Sequence, residues 1–185
     1  MRVDRSNFDH QIFAALDERF APMASKCSSR DHASFAWGLG KAGMRSGHTW
    51  EKLEKAVVDR TAKEMRLFEL SMLMVGFANA GRPAPALIDR VQAILPELLA
   101  RSRPDKSEVL SLATLVWALS KLGGSDQQCF QAIAIHAIPD LGRLSTRLLS
   151  NIVGAYARAH VEAPELFAAT AKVSVPQADA FTEQG

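Results

Sequence analysis

Four segments of the chain can be laid over one another. They are Phe35-Ala-Trp-Gly-Leu-Gly-Lys-Ala-Gly43, Leu73-Met-Val-Gly-Phe-Ala-Asn-Ala-Gly81, Leu115-Val-Trp-Ala-Leu-Ser-Lys-Leu-Gly123 and Ile152-Val-Gly-Ala-Tyr-Ala-Arg-Ala-His160. Their last residues are 38, 42 and 37 positions apart. Self-similarity at a nearly fixed period of this size is the mark of a stacked helical array, in which each unit buries its apolar face only against its neighbours. This feature constrains the fold more than any other.

Each copy reads as a helical hairpin. The first helix ends at a glycine (His160 in the last copy), where a left-handed residue is least costly. Start signals for a second helix follow: Thr49 before Trp50, Pro83 and Pro85 before Ala86, Ser125 with Gln128 three residues on, and Pro164 before Glu165. Seven residues past each terminal position stands a large apolar residue, Trp50, Ile88, Phe130 or Phe167, expected to pack. The longer offset is absorbed by the link Arg101-Ser-Arg-Pro-Asp-Lys106. Residues 1–30, with Phe8, Ile12, Phe13, Leu16 and Phe20 at helical spacing, fit the trailing helix of a preceding hairpin. Four hairpins then occupy about 31–66, 67–106, 107–145 and 146–172, and 173–185 reads as a tail. No segment alternates apolar and polar residues as a strand would. The expected architecture is all-α: one right-handed α-solenoid of about nine helices with a period of about 38 residues.

Two columns inside the first helices are small: Gly38, Gly76, Ala118, Ala155, and then Gly40, Ala78, Ser120, Ala157. Small residues let helix axes approach, at roughly 1 kcal/mol of helix propensity for each Gly relative to Ala. Trp37 and Trp117 share another column and are expected in the core between repeats.

Composition removes several classes. With 48% hydrophobic and 23% charged residues the chain is not of the disordered type. Its longest apolar stretches, such as Leu70–Ala78 and Leu110–Leu119, fall short of the ~20 residues of a membrane span. A formal charge of +2 is too mild for binding driven by bulk charge, so any affinity for nucleic acid must come from where the cations sit. Cys27 and Cys129, the two cysteines, make neither a disulfide framework nor a CxxC zinc site, and are expected as small core residues. Asp4, Asp9, Asp17 and Glu18 leave no secretory leader or acid-poor presequence visible.

Catalysis finds no motif. His10, His32, His48, His136 and His160 form neither HxxxH nor HExxH, and no phosphate loop or nucleophile elbow is present. Gly38-Leu-Gly40 lies within a helix and lacks the third glycine of a dinucleotide fingerprint. Glu51 with Glu54, and Asp17 with Glu18, read as surface acids of amphipathic helices. No enzyme, cofactor, metal or small-molecule substrate is expected.

Leu112-Ala-Thr-Leu-Val-Trp-Ala-Leu-Ser-Lys-Leu-Gly123 resembles the signature helix of octotricopeptide and heptatricopeptide repeats. Leu149–Ala159 and Ser34–Gly43 are similar to it more loosely, and Leu70–Gly81 is the most degenerate copy; the likeness runs over roughly 8–172. Those repeats are found in organellar RNA-binding proteins, often beside a RAP domain, which is not evident here. The resemblance implies an organellar location, mitochondrion ahead of plastid, and work on RNA. It includes the case of structural subunits of divergent mitochondrial ribosomes, where the RNA would be rRNA. The period alone equally suits a tetratricopeptide-like protein binder.

A surface for RNA is legible in two columns. Two residues before each terminal position stand Lys41, Asn79, Lys121 and Arg158. Two helical turns earlier on the same face are Ser34, Met72, Thr114 and Asn151, three of them able to hydrogen-bond a base or ribose. One cation and one short polar group per repeat is how repeat proteins read single-stranded RNA at about one base per repeat. A cation in a last helical turn is equally favoured by the helix dipole alone. Arg101, Arg103 and Lys106 in the link, and Arg143 with Arg147 before the last repeat, are further candidate phosphate contacts. Two functions stay open: an RNA-associated, non-catalytic component of a ribonucleoprotein such as the mitochondrial ribosome, or a protein–protein scaffold of an organellar, for example respiratory, complex without RNA contact.

Overall fold

A computed structural model describes residues 12, 15–16, 18–20, 22–45, 47–60, 64–101 and 106–180, with the backbone alone at 106, 107, 179 and 180. Among the described residues every regular element is helical. Eight α-helices are delimited: α1 (Ser29–Lys41), α2 (Thr49–Val58), α3 (Leu67–Ala80), α4 (Pro85–Arg101), α5 (Lys106–Leu122), α6 (Gln127–Ala137), α7 (Thr146–Ala159) and α8 (Pro164–Ser174). Short 3-10 turns lie at Ala24–Lys26, Ile138–Arg143 and Val175–Ala180.

The helices pack in sequence as two layers. In the first, α1 lies on α3, α3 on α5 and α5 on α7; in the second, α2 lies on α4 and α4 on α6. The last helix, α8, rests on α7 and on the Ile138–Arg143 turn. This is the sequential packing of an α-solenoid.

The turns between the layers share one geometry. Gly43, Gly81, Gly123 and His160 all have left-handed backbone, with φ of 70°, 62°, 94° and 54°. In each the following amide reaches five residues back: Met44 to the Leu39 carbonyl, Arg82 to Phe77, Gly124 to Leu119, Val161 to Tyr156. The left-handed residue's own amide bonds three back, to Gly40, Ala78, Ser120 and Ala157. This double closure satisfies carbonyls that the helix end leaves open. At the other ends Pro85 and Pro164 take first helical positions, where their missing N–H costs nothing. The start of α6 departs from expectation: Asp126, not Ser125, is the cap, its carboxylate accepting from the Cys129 amide at 2.7 Å. An anion is the better partner for free amides at a helix start.

The core runs between the layers. Trp50 and Phe130, each seven residues past a terminal position, are buried, as is Ile88, and Phe167 is half-buried. Trp50 meets Phe77 edge to face at 4.7 Å, and Phe130 meets Tyr156 in the same way at 5.1 Å. Both contacts join the second helix of one hairpin to the first helix of the next. Both aromatic donors are satisfied: Trp50 Nε1 donates to the Met44 carbonyl at 3.1 Å and Tyr156 Oη to that of Phe130 at 2.6 Å. Cys129 is a core residue, as expected, and burial pushes its thiol up to about 12; Cys27 is half-buried.

Glycine sets the closest approach. A Cβ on Gly40 would lie 2.5 Å from the Gly76 carbonyl oxygen, and one on Gly76 would run into the Ala36 carbonyl. Helices α1 and α3 therefore touch backbone to backbone. Gly38 does not share this role, since a Cβ there meets nothing within 4 Å.

At the leading end, Phe20 stacks on Phe35 with ring centroids 4.0 Å apart and stands edge-on to His32, whereas Ile12 and Leu16 are exposed. Phe8 and Phe13 lie outside the described residues. Among the described residues no helix is long and apolar enough to cross a membrane.

Candidate nucleic-acid interface

The four residues of the cation column, Lys41, Asn79, Lys121 and Arg158, are all exposed, each in the last turn of a first-layer helix. Two of the cations sit on aromatic rings. Lys41 Nζ lies 5.7 Å from the Trp37 ring centroid, and Lys121 Nζ lies 5.5 Å from that of Trp117. The spacing of four residues makes this pairing automatic on a helix, and such a contact is worth about 0.5–1 kcal/mol where solvent reaches it.

Of the two tryptophans expected in the core, Trp37 does not stand there. It is 41% exposed, outside the core, whereas Trp117 is half-buried and packs against the core's edge. The core aromatics at this level are Phe77 and Tyr156, two residues further along their helices and so about 200° around the axis.

Arg158 is held across the layer: its Nη1 donates to Ser120 Oγ on α5 at 2.7 Å. In the polar column Ser34 is exposed, and Met72, Thr114 and Asn151 are half-buried. Thr114 is already engaged. Its hydroxyl shares a 2.5 Å hydrogen bond with Ser71 Oγ and lies 3.0 Å from the Leu110 and Ser111 carbonyls, so it joins α3 to α5.

Between α1, α3 and α5 the same face opens into a groove of about 290 Å³. Trp37, Phe68, Met72, Val75 and Leu110 line it, with the Ser71–Thr114 hydroxyl pair among them. Phe68 is 62% and Leu110 44% exposed. Neither is among the residues expected at the site, although both stand equally far ahead of Gly81 and Gly123, and that shared column is the signal that marks them.

The remaining candidates are scattered. Arg101 is 3.9 Å from Glu97 on its own helix, and Arg143 is 2.9 Å from Asp140 within the 3-10 turn. Arg147 is exposed at the start of α7. Arg103 lies outside the described residues, and of Lys106 only the backbone is described.

The groups whose titration the fold shifts most belong to packing. Burial drives the Tyr156 hydroxyl upward and lowers His32. The Ser28 hydroxyl and amide hold the Asp31 carboxyl below its usual range, as befits the cap of α1. Among the described residues no group of three or more His, Cys, Asp and Glu is placed to hold a metal ion. Compared with known proteins, the chain matches no family model, and no curated protein is similar to it.

Proposed function

We propose that this chain is a non-catalytic helical-repeat protein of the octotricopeptide type. Its four hairpins are copies of one unit, about 38 residues long, in a right-handed array. It serves as an RNA-associated component of an organellar ribonucleoprotein, a mitochondrial ribosome being the leading case. The observation that carries the reading is the exposed cation column, in which three of four copies present Lys or Arg at one helical position. Stacked first-layer helices bring those positions into one row, and a row of cations follows a phosphate backbone.

Salt dependence tests it. Each phosphate contact to a single strand contributes about 0.7 to the slope of log affinity against log salt. Replacing Lys41, Lys121 and Arg158 together by Ala flattens that slope by about two. An unchanged slope removes the column from the interface.

A protein scaffold is the second reading, and the exposed Phe68 and Leu110 favour it, since contiguous apolar surface marks interaction sites. Affinity purification from cells separates the two. The first reading expects rRNA and ribosomal proteins; a stoichiometric protein assembly at full yield after nuclease, with no rRNA, establishes the second.

A further inference from the structure

The outer face of the first layer can be followed through four positions of each helix, those that Arg30, Ser34, Trp37 and Lys41 hold in α1 and Phe68, Met72, Val75 and Asn79 in α3. Spacings of four, three and four keep them on one side of a helix. The groove draws lining residues from the first three of these positions, so they share a surface in the folded chain.

Charge is segregated on this face. Over the whole chain 22 basic residues stand against 20 acidic ones. At the sixteen positions of the face there are five cations, Arg30, Lys41, Lys121, Arg147 and Arg158, all exposed, and no acid. The acids of the same helices, Asp31, Glu69 and Glu108, lie in first turns off these positions, and the first two bond backbone amides at the helix starts. Around the groove the face is largely apolar and aromatic, with Trp37 and Phe68 exposed and Trp117 under the Lys121 ammonium. Ser34, Thr114 and Asn151 add short polar groups at the second position. An apolar floor with cations at its margins and no anions is complementary to a flexible polyanion with flat apolar faces. A protein segment gains nothing from a margin of one sign unless it is itself acidic.

We infer that the groove between α1, α3 and α5 is a base-stacking site for single-stranded RNA, with Trp37 and Phe68 as platforms and the flanking cations on the phosphates. The inference rests on the RNA reading above and adds what part of the nucleic acid is held and how. The face spans about 16 Å along the helices, from eleven residues at 1.5 Å each, and about 25–30 Å across four packed helices. That is room for several nucleotides. Stacking on aromatics tolerates any base, so binding discriminates strand state more than sequence.

The probe is a labelled oligouridine of about ten nucleotides, within the range one such surface occupies, alongside its duplex with oligoadenosine. Trp37→Ala and Phe68→Ala each weaken oligouridine binding about tenfold while leaving the salt slope as it is, because stacking releases no counterions. Trp37→Phe restores most of the affinity. Oligouridine quenches tryptophan emission in the wild type and less in Trp37→Ala, and the duplex binds more weakly without quenching. Both side chains are exposed, so helix content by circular dichroism stays unchanged and folding is checked in the same samples. If the lysine and arginine replacements flatten the slope while both aromatic variants bind like the wild type, stacking is overturned and the RNA reading stands. If the wild type binds neither strand form at low salt, both fall.

Discussion

The two layers solve the same stacking problem by different means. In the first layer shape sets the register: Gly40 and Gly76 bring α1 and α3 into backbone contact, and Ala113, Ala118 and Ala155 lie fully buried in α5 and α7. Polar joints cross the first layer too, Ser71 with Thr114 and Arg158 with Ser120, but they run side chain to side chain. In the second layer side chains reach the backbone amides at the next helix start. Glu54 on α2 accepts from the Leu87 amide in the first turn of α4 at 3.2 Å. Gln92 on α4 accepts from the Asp126 amide at the start of α6 at 3.0 Å. Glu54 and Gln92 hold equivalent places, eleven residues past Gly43 and Gly81. Each fills an amide that a helix start leaves without a partner. The first layer's joints use hydroxyls and one guanidinium, and its acids Asp31 and Glu69 sit at helix starts off the outer face. The second layer spends carboxylates and amides on its joints and shows mixed charge.

The sharpest way to break the comparison is to add one carbon to the first layer. Gly76→Ala places a Cβ against the Ala36 carbonyl, which as backbone cannot step aside. The helices must separate, at about 3 kcal/mol, and the melting temperature falls by roughly 6–12 °C for a chain of this size. Gly38→Ala is the control, because its Cβ meets nothing within 4 Å. There the gain in helix propensity dominates, and stability rises by about 0.5–1 kcal/mol. Equal losses in the two variants, measured by thermal unfolding, would show that general glycine loss, not the contact, sets the effect.

A pH titration probes the edge where α1 meets the end of α2. His32 is fully buried, and its ring Nε2 lies 2.7 Å from the Ala24 carbonyl, so that nitrogen carries the proton. Burial lowers its pKa most; the bond to Ala24 opposes this, and the Arg60 guanidinium lowers it further. A folded-state pKa below the unfolded value of 6.5 means that the unfolded chain binds the extra proton first. The contribution is complete above about pH 6.5 and is lost as pH falls below it, by at most about 1.4 kcal/mol per unit. Unfolding free energies at pH 7 and pH 5.5 therefore differ more in the wild type than in His32→Gln. The same difference in both would remove His32 as the source.

How far these features could be read from the sequence depends on which physics fixed them. The turns were legible because a positive φ selects glycine wherever it occurs, and three of the four terminal positions hold it. The Pro85 and Pro164 starts were legible for the same local reason. Trp37 and Gly38 differ from expectation because their environment depends on which neighbour lies beyond them, which local chemistry does not encode. Phe68 is not legible as an outward residue because α3 is apolar nearly all round, so its periodicity gives no outward side to recognise. For the candidate interface, exposure of the cations followed from their place in a last helical turn. The acid-free face did not, since it exists only once four helices lie side by side.

The second layer's joints yield a smaller effect. Glu54→Ala leaves the Leu87 amide without its carboxylate acceptor, and Gln92→Ala leaves the Asp126 amide without its side-chain carbonyl acceptor. Each costs about 1 kcal/mol. The amides lie at helix starts, so a carboxylate serves better than a neutral carbonyl, and Glu54→Gln recovers only part of the loss. Chemical denaturation of the four proteins checks this. A loss from Glu54→Ala as large as that from Gly76→Ala would contradict the view that backbone contact in the first layer outweighs the helix-start joints of the second.

The smallest effect concerns what the layers share. His160 is the one non-glycine residue with positive φ among those described, yet it closes the same pair of hydrogen bonds as the three glycines. A side chain strains the left-handed backbone, and histidine is among the residues that bear this better than most. His160→Gly removes the strain but adds freedom to the unfolded chain, so the net gain is about 0.5 kcal/mol, a rise of roughly 1–2 °C in melting temperature. Gly81→His should lose about as much as His160→Gly gains, because the two turns have nearly the same φ. If His160→Gly instead lowers stability, the imidazole contributes to the α7 end through its side chain, and the four turns are not equivalent.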